Sequence, residues 1–198
     1  HYMVYDNSMR EKMIEDQQVL NEMQNALDKE EFVIYIQPKC DLVTGKLIGG
    51  EVLVRWIHPT QGMIPPYRFI PLFEKNGFIA KLDYYVWEKT CQLLARWKKN
   101  GISIPLSVNA SRLNFYLQGS IESFLQLITD YDLEERQLEM EVTESAYTKD
   151  SDQIFSQLEE LQHRGVRILM DDFGSGYSSL NMLQEAPMDV LKLDMKFL

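Results

Sequence analysis

The chain has 198 residues, 45% hydrophobic and 11% aromatic, with 30 Asp and Glu against 20 Lys and Arg and a formal net charge of −10. That is enough apolar material for one globular domain with a full core. Acids and bases are interspersed without a basic block, which argues against duplex nucleic acid held through its phosphates.

Residues 1–7, His-Tyr-Met-Val-Tyr-Asp-Asn, read as the last strand or tail of a preceding unit. From Ser8 the pattern turns helical: Met9, Met13, Leu20, Met23 and Leu27 recur among polar residues, with Asp16 breaking the series. The helix is either an interdomain connector with coiled-coil character or a helix packed on the domain that follows. Phe32 to Leu42 reads as a strand, Thr44-Gly45-Lys46 as a turn and Leu47 to Trp56 as a second strand. A loop with Pro59, Pro65 and Pro66 leads to helices over Pro66–Asn76 and Leu82–Asn100, ended by Gly77 and Gly101. Strands over Pro105–Ser111, Gln137–Ser145, Val166–Met170 and Val190–Leu198 then alternate with helices over Ile121–Tyr131, Gln153–His163 and Tyr177–Glu185. This alternation predicts an α/β fold with a parallel sheet and right-handed crossovers.

Val166 to Met170 is an apolar run that leads into Asp171-Asp172 and a loop punctuated by Gly174 and Gly176. Two acids at the carboxyl end of a buried strand are costly unless a cation is near, and in a β/α repeat that end is where ligands bind. Successive strand residues face opposite sides, so both acids reach one metal only if the strand is breaking into the loop. The alternative is a helix-capping Asp pair in a turn. Other strands carry polar residues too: Glu51 and Arg55, Asn109, Glu141 and Glu144, and Lys192 and Asp194. Glu, Asn, Glu and Asp from successive strands make an oxygen cage suited to Mg²⁺ or Mn²⁺. Each alone has a plain reading: Glu144 a loop brace, Arg55 a structural ion pair, Lys192 a strand-end lysine, Gln37 a turn residue before Pro38. The joint pattern favours a site. His1, His58 and His163 read as ordinary surface or loop residues. Cys40 and Cys91 are in no metal-spaced pair and read as free thiols of a reducing, cytoplasmic compartment. No run reaches the length of a membrane span.

In order along the chain, Gln37-Pro38, Glu51-Val52-Leu53-Val54-Arg55, Val108-Asn109, Glu141-Val142-Thr143-Glu144, Asp171-Asp172-Phe173-Gly174 and Lys192-Leu193-Asp194 together resemble the EAL domain, the cyclic di-GMP phosphodiesterase family. The resemblance implies a (β/α)8 TIM-type barrel with an antiparallel first strand, whose last two strands are absent from this chain. It also implies residues 1–29 as the tail of a GGDEF-like domain with its connecting helix, and 30–198 as the EAL domain. Glu51, Asn109, Glu141 and Asp171 look like ligands of one divalent cation, Mg²⁺ or Mn²⁺, with Asp171 and Asp172 holding a second. Lys192 looks like the residue touching the attacking water or phosphate. Gln37, Leu53, Arg55 and Asp194 look like substrate contacts, and Glu144 like the brace of the loop from Phe173 to Ser179, which in the family also serves homodimer contacts. Val52 stands where Ala is usual and Ser175 where Thr is usual. The implied activity is metal-dependent hydrolysis of cyclic di-GMP to linear pGpG. The alternatives are a non-catalytic cyclic di-GMP-binding domain and a barrel hydrolase acting on another phosphodiester.

Overall fold

The computed structural model describes residues 7–148, 151–174 and 180–194. The segment around Tyr5 and Asp6, most of the loop from Phe173 to Ser179 including Ser175, and residues 195–198 lie outside the described residues. The strands are β1 (Phe32–Cys40), β2 (Leu47–His58), β3 (Gly62–Ile64), β4 (Leu106–Asn109), β5 (Leu138–Thr143), β6 (Arg167–Phe173) and β7 (Val190–Leu193). The helices are α1 (Asn7–Asp28), α2 (Pro66–Asn76), α3 (Ile79–Lys99), α4 (Ser120–Asp130), α5 (Ser151–His163) and α6 (Leu180–Glu185). One seven-stranded sheet has the order β1-β2-β4-β5-β6-β7, with β3 paired to the end of β2. β1 is antiparallel to β2, and each neighbouring pair from β2 through β7 is parallel. Spatial order thus follows chain order with helical crossovers, the winding of a β/α barrel rather than of a doubly wound sheet whose order reverses.

Local chemistry explains the boundaries. β1 stops at Cys40, two residues short of the predicted Leu42, because Asp41 starts a turn. Its Oδ1 accepts from the Thr44 backbone N–H (2.7 Å) and hydroxyl (2.6 Å). α2 opens after extended Pro65 with Pro66 in its first turn, and ends at Gly77 in the left-handed region (φ 82°). β2 runs two residues past the predicted end and pairs with β3, a strand of three residues hidden in the proline-bearing loop. β5 ends at Thr143, so Glu144 opens a 3-10 turn (Glu144–Thr148) instead of closing a strand.

The two faces of the sheet differ. Val52, Leu106, Val108, Leu138, Met140, Val142, Ile168 and Met170 are all buried and alternate with the polar positions along their strands. They form one core with Trp87 and Leu94 of α3, Phe124 of α4 and Ile154 and Leu158 of α5. Each such side chain contributes about 1.5–3 kcal/mol through burial. At the other end of the sheet, Phe32, Trp56, Phe69 and Phe73 stack with centroids 5.1–6.3 Å apart and lock α2 to β1 and β2.

α1 packs on the domain. Val19 and Ala26 are buried, Met23 and Leu27 lie against the core, and Glu15 pairs with Arg68 of α2 at 2.9 Å. His58, read from the sequence as an ordinary loop or surface residue, is instead buried at the end of β2. Its Nδ1 accepts from the N–H groups of Thr60 (3.2 Å) and Gln61 (3.1 Å). The ring proton is therefore on Nε2, which donates to Glu22 of α1 at 2.6 Å. The sequence reading failed here because nothing local to His58 announces a partner 36 residues earlier.

A buried acid ties α3 to the loop after β4. Asp83 Oδ2 accepts from the Ser111 N–H (2.9 Å) and from Asn114 Nδ2 (2.6 Å), while Trp87 Nε1 donates to the Asn109 carbonyl (3.0 Å). Burial outweighs these bonds and pushes Asp83 up to about 6. With the folded pKa above the unfolded one, this group's contribution is full below the usual carboxylate pKa and is lost as pH rises toward 6. Asp83→Asn keeps an acceptor oxygen and removes the charge. Denaturant titrations at pH 4 and pH 7 should show the difference in stability between variant and wild type moving in the variant's favour by about 2 kcal/mol. A difference that does not change with pH would refute the assignment.

Candidate metal centre and substrate site

The strand that carries Glu51 lies unusually close to its neighbours. A Cβ on Gly50 would stand 2.6 Å from Ile36 Cγ2 and 3.0 Å from Leu106 Cδ2, so only glycine lets β1, β2 and β4 meet there. Register then sets the site. Glu51 pairs with Ser107, Asn109 with Glu141, and Thr143 with Asp171. By the two-residue period, Glu51, Ser107, Asn109, Glu139, Glu141, Asp171 and Lys192 all fall on the face opposite the apolar core.

Glu51, Glu141 and Asp171 each bring a carboxylate oxygen within 4.8 Å of the others. The Lys192 ammonium sits among them, 2.8 Å from Glu51 Oε2, 3.1 Å from Asp171 Oδ2 and in a short contact with Glu141 Oε2. Burial works against the charge on both Lys192 and Glu141. Their mutual hydrogen bond, with those from Lys192 to Glu51 and from Ser107 to Glu141, prevails. Lys192 is held above the usual lysine range and Glu141 below the usual carboxylate range. Asn109 stands at the end of β4, half-buried and in register with Glu141.

Asp172 is not part of this cluster. The register slips after Met170, and Asp172 is exposed in the left-handed region (φ 56°), with its N–H donating to Asp171 Oδ1 at 2.9 Å. The strand does break into the loop between the two acids, as both reaching one site would require. Glu144 is buried and accepts from the Gly174 N–H at 2.8 Å, at the start of the glycine-rich loop. On β1, Gln37 pairs with Glu51 and is exposed; Leu53 of β2 is half-buried opposite Tyr35. Arg55 donates to the Val54 carbonyl (2.8 Å), its guanidinium 5.8 Å from the Tyr35 ring centre. Asp194 lies just past β7, its N–H on the Phe173 carbonyl at 3.1 Å.

Four residues that sequence reasoning missed belong to the same face. Lys39 Nζ donates to Ser107 Oγ (2.7 Å) and to Glu141 Oε1 (2.9 Å), and lies 3.9 Å from Glu139 Oε2. Ser107 Oγ donates to Glu141 Oε1 at 2.5 Å, and Arg167 pairs with Glu139 at 3.3 Å. The signal was available: Lys39, Ser107 and Glu139 each lie two positions from Gln37, Asn109 and Glu141, hence on the same side of their strands.

The donor set suits Mg²⁺ or Mn²⁺, which take oxygen ligands in octahedral arrangements. Three carboxylates and one amide come from four neighbouring strands, and the cluster already holds a positive charge, that of Lys192. Among the described residues no other group of His, Cys, Asp and Glu has metal-binding spacing. Nor is any described helix long and apolar enough to cross a membrane.

Comparison with known proteins agrees with this geometry. Residues 20–198 match the model of the EAL domain. The chain is 37% identical over its full length to the bifunctional diguanylate cyclase/cyclic di-GMP phosphodiesterase MucR of Pseudomonas aeruginosa, of which it covers 29%. It is 31% identical over 99% of its length to the cyclic di-GMP phosphodiesterase PdeR of Escherichia coli, covering 30% of that protein. It thus spans about a third or less of these curated relatives. A solved structure of the PaMucR phosphodiesterase in complex with c-di-GMP superposes with a TM-score of 0.86 at 38% identity, over 91% of this chain and 73% of that one. The antiparallel first strand, the β/α winding and the match over residues 20–198 place this chain in the EAL domain family.

Proposed function

We propose that the site hydrolyses cyclic di-GMP to linear pGpG with the aid of divalent cations. The convergence of Glu51, Glu141 and Asp171 on one positive charge carries this reading. Support also comes from the EAL family match and from relatives named cyclic di-GMP phosphodiesterases. Glu51, Asn109, Glu141 and Asp171 would hold one Mg²⁺ or Mn²⁺, and Asp171 with Asp172 a second. When bound, such cations polarise the phosphate and acidify a nearby water.

The chain's own groups supply the rest. Lys192 Nζ, at the end of a flexible four-carbon stem, donates to a phosphate oxygen and balances charge as the water oxygen bonds to phosphorus. The bond from phosphorus to the ribose 3′ oxygen breaks, that oxygen takes up a proton in exchange for the one the water loses, and the phosphate stays on the 5′ oxygen of the linear product. Arg55, braced by the Val54 carbonyl and Tyr35, retains N–H groups for an anionic ligand. Gln37, Leu53 and Asp194 line the approach as substrate contacts. Glu144 holds the backbone at Gly174 and so shapes the loop that follows the two aspartates. Residues 1–29 serve as the link from a GGDEF-type domain, a reading supported by the bifunctional name of the MucR relative.

One observation favours a second reading, a cyclic di-GMP receptor without turnover: Lys192 already pairs with all three carboxylates. Linear product that forms with Mn²⁺ and stops with EDTA separates the two. Glu51→Ala or Asp171→Ala should reduce hydrolysis in the whole protein to background. Wild-type rates in either variant at saturating metal would end the assignment. Glu144→Ala should lower kcat by about 10–100-fold, the usual range for a residue that supports a metal site from outside. Glu144→Gln, which keeps an acceptor for the Gly174 N–H, should recover part of the loss. An unchanged kcat in Glu144→Ala would show that the brace has no bearing on turnover.

A further inference from the structure

The two oxygens of Glu141 are held differently. Oε2 contacts Lys192, which also pairs with Glu51 and Asp171. Oε1 instead accepts two hydrogen bonds, from Ser107 Oγ at 2.5 Å and from Lys39 Nζ at 2.9 Å. A carboxylate oxygen offers about two lone-pair positions, so Oε1 is saturated and only Oε2 is left for a ligand. Lys39 also donates to Ser107 Oγ at 2.7 Å, which leaves the single hydroxyl proton of Ser107 for Glu141. The three groups form a closed triangle.

Lys39 reaches this position by an improbable route. It belongs to β1, whereas Ser107 and Glu141 belong to β4 and β5, two and three strands along the sheet. On a flat sheet the strand of Glu141 is about 14 Å away, so the contact needs a curled sheet. It also needs a clear path. Lys39 pairs with Gly49, and its Cδ lies 3.9 Å from where a Gly49 Cβ would stand. The stem lies over Gly49, where no side chain of β2 stands between it and β4, and its ammonium reaches both Ser107 and Glu141.

We infer that Lys39, together with Ser107, is a positioning residue that fixes Glu141 so that it presents a single oxygen to the cation site. This rests on the cation-dependent reading above. The consequence is selectivity among divalent cations. Mg²⁺ demands a tight octahedron, whereas Ca²⁺ accepts more ligands and readily takes a carboxylate through both oxygens. Locking Oε1 denies Ca²⁺ that second oxygen while costing Mg²⁺ nothing. A lysine present only to neutralise Glu139 and Glu141 would act equally on both cations, since both carry the same charge.

The test is cation binding. Displacement of Mn²⁺, followed by electron paramagnetic resonance, gives the Mg²⁺ and Ca²⁺ affinities of the whole protein. Wild type, Lys39→Met and Ser107→Ala would be compared, with thermal melts to confirm folding. Freeing Oε1 should move the affinity ratio toward Ca²⁺ by about tenfold, in line with the effect of partners that orient metal ligands. A wild-type ratio in the folded variants overturns the inference and leaves the proposed function standing. If Lys39→Met does not fold, Ser107→Ala, which keeps the charge and removes only the hydroxyl, decides alone. Wild-type protein that binds no divalent cation overturns the cation-dependent reading itself and the inference with it.

Discussion

Everything at the open ends of these strands depends on how four acids share one face of a buried sheet. Glu139 and Glu141 are almost wholly buried, and Glu51 and Asp171 stand beside them with side chains only about a fifth exposed. Carboxylates so placed repel one another and resist ionisation unless positive charge accompanies them. Three cations are built in. Lys192 sits among Glu51, Glu141 and Asp171; Lys39 lies between Glu139 and Glu141; Arg167 stands below at Glu139. Such clusters rarely add stability, because the desolvation of each charge offsets most of the attraction. The apolar face opposite carries the fold, and the polar face is free to be chemical.

That division follows from register. A one-residue slip would send the acids into the helix-facing core. Two devices keep the register and then break it where the chemistry needs a break. Gly49 and Gly50 allow β1 and β4 to close tightly on β2, which pins Glu51 beside Ser107. At the far end, the irregularity after Met170 turns Asp172 out of the ladder with φ 56°. A non-glycine residue in that region is strained and persists only where its surroundings enforce it. Here the Asp172 N–H is held by Asp171 Oδ1, and Gly174, with its N–H on Glu144, completes the turn.

Much of this was legible in the sequence, for physical reasons that also mark the limit. Strand–helix alternation from Pro105 onward gave the parallel winding, because each buried strand is a short apolar run bounded by turn residues. Glu51, Glu141 and Asp171 were readable as a set because acids at strand ends are costly without a purpose. β3 escaped because three residues carry no period. Lys39 escaped because its partners lie across β2 on β4 and β5, and only sheet curvature brings them near. Asp172 was read as holding a second cation beside Asp171; it stands on an exposed turn next to the cluster of Glu51, Glu141 and Asp171 and outside it. His58 was misread for the same reason as Lys39, since its partner Glu22 lies 36 residues earlier on a helix whose polar face does not announce which residue it meets.

The His58 contact also bears on how the site is anchored. β2 is one continuous strand from Leu47 to His58, with Glu51 and Arg55 along it. Its end is fastened twice to what precedes it: His58 to Glu22 of α1, and Trp56 Nε1 to Glu31 at 3.0 Å. α1 is further held by Val19 and Ala26 in the core and by Glu15 on Arg68. β2 is paired with β1 along most of its length and with β4 at Gly50 and Glu51, so Glu51 shifts only by breaking ladder bonds or by carrying the rest of β2, His58 included, with it. The position of one cation-facing carboxylate and the seating of the N-terminal helix are therefore set by a single piece of backbone.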